Sequence, residues 1–277
     1  MLILTKRQKI ALTVTALSLA LLYLPTIGLA IYRQLWVFGI LVSSYLLSLW
    51  SLSTPRLKDK TQSPIGNLLH YDLNGVELIT MFVLPVLLSA SFALFFLIFL
   101  PTLLPRILLI GSFAFSLYII LLSENIFNVS AVRSIPLLRA AQTVGYLSTL
   151  FVSFAFYSLL FSMGFDSWMI GLIVMASGTV LFAQAFWQIE LKETLSNDLI
   201  NAALVGGLAI GQIAVMLTFW PLRPLGAGLA LTTIVYVVLG LLQHQIKDKL
   251  NVRTAREYLI VGVAVFLLLI LITNWPG

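Results

Sequence analysis

The sequence predicts an all-α polytopic integral membrane protein of about nine transmembrane helices, a single transmembrane domain over 1–277 with a cytoplasmic N-terminus. Three observations carry that reading. Hydrophobic residues make up 60% of the chain and charged residues 9%, whereas about a quarter of a soluble domain is charged. Nine stretches approach the length of about 20 mainly apolar residues that a helix needs to close its backbone hydrogen bonds across about 30 Å of hydrocarbon. The basic residues then alternate in density from one connection to the next, as the excess of Lys and Arg in cytoplasmic loops requires.

The spans fall at 10–32, 35–53, 78–100, 106–123, 141–163, 168–188, 199–220, 225–242 and 258–275. The first follows the basic start MLILTKRQK. Pro25 and the small residues of Gly28-Leu29-Ala30 give it some character of a signal peptide. Its apolar run exceeds the usual 7–15 or so residues of such a leader, so a retained first helix is expected. The second span opens on WVFGILV and leads to the longest connection, 54–77, whose Pro, Gly and charges suit a cytosolic loop. PTLLPR separates the third span from the fourth, and WPLRP the seventh from the eighth, because Pro disfavours helix at the residue before it. After the fourth span the polar SENIFNVS and the basic 133–139 region suggest an amphipathic elbow over 123–142, lying on the inner surface with Arg near lipid phosphate.

With the N-terminus inside, thirteen of the sixteen basic residues face inward and only Arg33, Arg106 and Arg223 face outward. Among the ten acids only Asp166 lies outside. The expected location is a prokaryotic plasma (inner) membrane, with membrane lipids as the first partners. A net charge of +6 would point to nucleic acid in a soluble domain, but here it reports topology, and no nucleic acid is expected. Protein partners are left open. Without cysteine, and with only His70 and His244, the chain offers no disulfide, thiolate metal site or multi-histidine centre, and no cofactor is expected.

Internal similarity suggests parallel duplication. WVFGILV at 36–42 matches WMIGLIV at 168–174, and Asn128-Val129 with Arg133 matches Asn251-Val252 with Arg256. The repeat units would be 1–69 (partial), 70–190 and 191–277 (partial), related without inversion because an even number of spans separates them.

Motifs add little chemistry. TVGY at 143–146 shares four letters with a potassium-channel filter, but Leu147 replaces the next glycine and no pore helix precedes it. It reads instead as a helix start. Gly207 and Gly211 form a GxxxG pattern, which with Gly226 and Gly228 on the eighth span suggests tight packing between neighbouring helices. The acids Asp72, Glu77, Glu124, Glu190, Glu193 and Asp198 read as solvated inner-loop charge, as does His70 beside Asp72.

Polar residues inside spans face the bundle interior because hydrocarbon cannot solvate them. The candidate substrate-binding residues are therefore Gln142, Gln184, Gln188 and Gln212, together with Glu124, Asn125, Arg133 and Arg139 at the inner elbow. Interhelical hydrogen bonding is the simpler role for the glutamines. Function thus reads first as a non-enzymatic carrier of a small or lipidic molecule, requiring a polar cavity near Gln212. A lipid-modifying enzyme would need acids and Arg converging at the inner mouth. A structural or assembly subunit would need neither. A proton relay would need a buried ionisable group, and the nine spans contain none at their centres.

Overall fold

The computed structural model describes residues 5–28, 30–52, 81–99, 102–130, 136–191, 196–246 and 251–273. These form nine α-helices: α1 Lys6–Tyr23, α2 Ala30–Leu52, α3 Val83–Ile98, α4 Leu103–Ser130, α5 Leu138–Ser162, α6 Ser167–Glu190, α7 Asn197–Thr218, α8 Pro224–Ile246 and α9 Val252–Ile272. Eight are long and apolar enough to cross a membrane, and α3 is a shorter apolar helix. The chain is a polytopic helical membrane protein. The loop 54–77, with its His70–Asp72 pair, and Glu193 lie outside the described residues.

Local chemistry starts and stops these helices. Thr5 caps α1 in a reciprocal box with Gln8, and Ser196 accepts from the Leu199 amide to cap α7; each side chain satisfies a backbone donor that the first turn leaves orphaned. Pro85 stands in the first turn of α3, where a missing N–H breaks no helical hydrogen bond. Its carbonyl accepts from Ser44 at 3.2 Å and Ser89 at 2.8 Å, tying α2 to α3 through side chains that hydrocarbon cannot solvate.

Cross-links between helix ends establish the alternation. The start of α1 meets the end of α4 through Lys6 and Asn125, and the end of α4 meets the end of α2 through Asn128 and the Leu52 carbonyl. The start of α5 meets the end of α6, and His244 near the end of α8 lies against Tyr258 near the start of α9. At the opposite end Thr218 bonds Ser167 and Trp220 bonds Thr273. Successive helices therefore run up and down. Among the described charges, Arg33, Arg106, Asp166 and Arg223 belong to that second end and the remainder to the first.

Helix α5 packs against α3, α4, α6 and α8, and α9 touches the bundle chiefly through α8. The closest pairing joins α6 to α7. A Cβ on Gly207 would stand 2.8 Å from the Met175 carbonyl oxygen, and one on Gly211 would stand 2.9 Å from that of Gly171. The GxxxG pattern thus lets α7 touch its neighbour α6, while Gly228 on α8 faces Ser158 of α5. The sequence could show that a small-residue face exists; it could not show which neighbour takes it.

Candidate functional site

The fourth span does not end at Ser123. The buried positions Phe113, Leu117, Ile120, Leu121, Glu124 and Phe127 continue one helical stripe through the polar residues, and α4 runs on to Ser130. This overturns the elbow expected to begin at 123. Only 131–137 remain between α4 and α5, and Arg133 within that stretch lies outside the described residues. It also overturns the solvated reading of Glu124, whose residue exposure is 1%.

Helix α6 brings Gln184 and Gln188, one turn apart and both buried, to the same place. Gln184 Nε2 donates to Glu124 Oε1 at 2.8 Å, and Gln188 Nε2 donates to the same oxygen at 3.1 Å. From α5, Gln142 Nε2 donates to the Gln188 carbonyl at 3.1 Å, fixing the last turn of α6. Gly145, one turn further along α5, leaves the room that the Gln188 side chain occupies: a Cβ there would stand 2.6 Å from Gln188 Oε1 and 3.1 Å from Phe127 Cζ. Three helices therefore assemble one carboxyl with three amides.

The hydrogen bonding is lopsided. Both amide donors converge on Oε1, while Glu124 Oε2 and Gln184 Oε1 are buried with no partner among the described residues. Among the described residues no cation forms an ion pair with Glu124. On the neighbouring residue, Asn125 Oδ1 accepts from Lys6 Nζ at 3.2 Å. A buried acceptor without a donor costs about 1–3 kcal/mol, and ionisable groups kept within membrane helices at such cost mark functional sites by default. No three acids or histidines gather among the described residues, so the cluster can act through hydrogen bonding and through charge on one carboxyl.

Its depth follows from helix rise. Glu124 lies about 32 Å along α4 from Leu103, close to the thickness of the hydrocarbon core of about 30 Å. The cluster is thus enclosed by protein at the level of one membrane face.

The remaining candidates are dispersed. Asn125 is half-buried beside the cluster and engaged by Lys6. Arg139 is exposed at the start of α5, and Gln212 is exposed on the outer side of α7, away from Glu124. Gln212 does not join Gln142, Gln184 and Gln188. Two surface hollows of ≈ 320 Å³ and ≈ 370 Å³ lie on α1 and α9; both are nearly all apolar, and neither reaches the cluster. Sequence reasoning passed over Gly145 and Lys6. The apolar stripe of α4, followed four residues past Ser123, carries the signal that would have placed Glu124 inside.

The fold and this cluster define the class: a polytopic all-helical membrane protein with a carboxyl and amides buried at one end of its bundle. More narrowly, the chain belongs to the family described as "Protein of unknown function (DUF5656)", which matches residues 36–272. No curated protein and no solved structure matches it.

Proposed function

We propose that the protein is a membrane carrier for a small or lipidic molecule bearing hydrogen-bond donors, with Glu124, Gln142, Gln184 and Gln188 as its working cluster. The observation that supports this most is the buried Glu124 carboxyl, whose Oε2 has no partner and whose neighbours are neutral amides. Unsatisfied acceptors favour a ligand that brings donors, and a protonated amine or hydroxylated headgroup has that chemistry. The excess of basic residues at this end supports a cytoplasmic side for it and for the N-terminus, in a prokaryotic plasma membrane. The paired motifs at 36–42 and 168–174 support a parallel duplication behind the bundle.

The test uses inverted membrane vesicles carrying the full chain, challenged with labelled panels of amines, polyols and lysolipids. Wild-type vesicles should accumulate at least one panel member, and Glu124→Ala should lose that uptake at least tenfold. Equal uptake by wild type, Glu124→Ala and empty vesicles across the panels would refute the carrier.

A second reading, a subunit that docks another membrane protein, draws support from α9. Only Leu269 of Val252–Ile272 is fully buried. Crosslinkers placed along Leu259, Val263 and Leu267 should then capture one discrete partner in native membranes; capture of lipid alone argues against it.

A further inference from the structure

We infer that the Glu124 cluster is a proton-binding site: one proton on Oε2, donated to the Gln184 amide oxygen, completes an acid–amide pair. This deepens the carrier reading and rests on it for its transport consequence, though the proton itself can be observed without transport.

The argument is one of donors and acceptors. In the ionised form Glu124 has only acceptors, and Gln184 Nε2 and Gln188 Nε2 both serve Oε1. That leaves two buried oxygens without a donor, Glu124 Oε2 and Gln184 Oε1. They belong to two side chains already joined by a 2.8 Å hydrogen bond through their other polar atoms. A carboxylic acid and a carboxamide pair through two such bonds, amide N–H to acid carbonyl and acid O–H to amide carbonyl. One is present, and a single proton supplies the other, giving both orphaned oxygens a hydrogen-bonding role.

Charge agrees with this. An ionised carboxylate buried without a cation carries a penalty of several kcal/mol. Among the described residues, the groups around Glu124 do not remove it. From α1, Lys6 is the basic residue that reaches this region, and Nζ is held by Asn125 Oδ1. From α5 come Gln142 and the Tyr146 hydroxyl, which donates to the Tyr236 carbonyl, while Arg139 is exposed. Helix α6 adds Glu190 beyond Gln188, a further acid. Helix α3 has no charged residue, and α2 has only Arg33, at the far end.

For a carrier the consequence is exchange. A cationic ligand that donates to Oε1 and Oε2 takes the place of the proton, which leaves Oε2 for water at the polar end. The cluster is neutral before and after: an acid alone, then a carboxylate with a cation.

The test is infrared spectroscopy of the full chain in lipid at neutral pH, comparing wild type with Glu124→Gln. The wild type should show the carbonyl stretch of a protonated carboxylic acid, shifting downward in D2O and missing from Glu124→Gln. Folded protein whose wild-type and variant spectra do not differ in that band would overturn the proton site. If Glu124→Gln fails to fold by circular dichroism, Gln184→Met is read instead. Loss of the acceptor should move the acid band to higher frequency, and an absent or unmoved band overturns the proposal. A Glu124 acid band in protein that transports nothing retires the carrier and leaves the proton site standing; uptake without the band does the reverse.

Discussion

The α6–α7 seam and the α4–α5–α6 junction are both built where helices approach closely, yet they handle contact in opposite ways. In the seam, glycines at 171, 178, 207 and 211 remove side chains so that backbone, apolar groups and the Thr179 hydroxyl fill the space. At the junction Gly145 removes a side chain so that a polar one, Gln188, can enter. Among the described residues the junction retains two buried oxygens without donors, Glu124 Oε2 and Gln184 Oε1. Small residues serve packing in the first and chemistry in the second, so damage to the two should separate stability from function.

The largest effect is expected in the seam. Gly207→Leu forces a side chain against Thr179 and the Met175 carbonyl, and overpacking against backbone that cannot yield should cost about 3 kcal/mol or more. Steric-trapping or denaturant titration in micelles would measure it; a loss no larger than that of an exposed substitution would break the contrast. Gly145→Ala comes next. The group it meets is mainly the end of a flexible glutamine, so stability should fall by only about 1 kcal/mol while uptake or the Glu124 infrared band changes strongly. A stability loss matching that of Gly207→Leu would show that the two regions work alike. Smallest is Gln212→Leu: this residue is exposed outside the cluster, and the change should leave stability within about 0.5 kcal/mol and uptake unaltered. Lost uptake at unchanged stability would return Gln212 to the substrate path.

The helices among the described residues were legible because apolar length and Pro punctuation are local properties. PTLLPR and WPLRP separate helices as expected. The end of α4 was not legible from mean hydropathy, which falls at Ser123, Glu124 and Asn125; the buried stripe through Phe127 continues regardless. The cluster was half legible. Two glutamines one turn apart on α6 must share a face, so Gln184 and Gln188 could be paired from spacing. That their partner is Glu124, and that Gln212 faces outward, depends on how the helices are rotated against one another. Rotation is set by long-range packing such as the Gly207–Met175 contact, which no stretch of twenty residues contains.

Helix α3 has a consequence for the surrounding lipid. Its sixteen residues, Val83–Ile98, rise about 24 Å, less than the hydrocarbon depth of about 30 Å. Ten of those residues are buried and the other six half-buried, so neighbouring helices cover most of the shortfall, and only the half-buried remainder meets the bilayer. Accommodating a short helix costs fractions of a kcal/mol per Å through local thinning. The protein should therefore gather shorter acyl chains where α3 meets lipid, making membrane thickness a variable that acts there and leaves α9, packed chiefly on α8, indifferent.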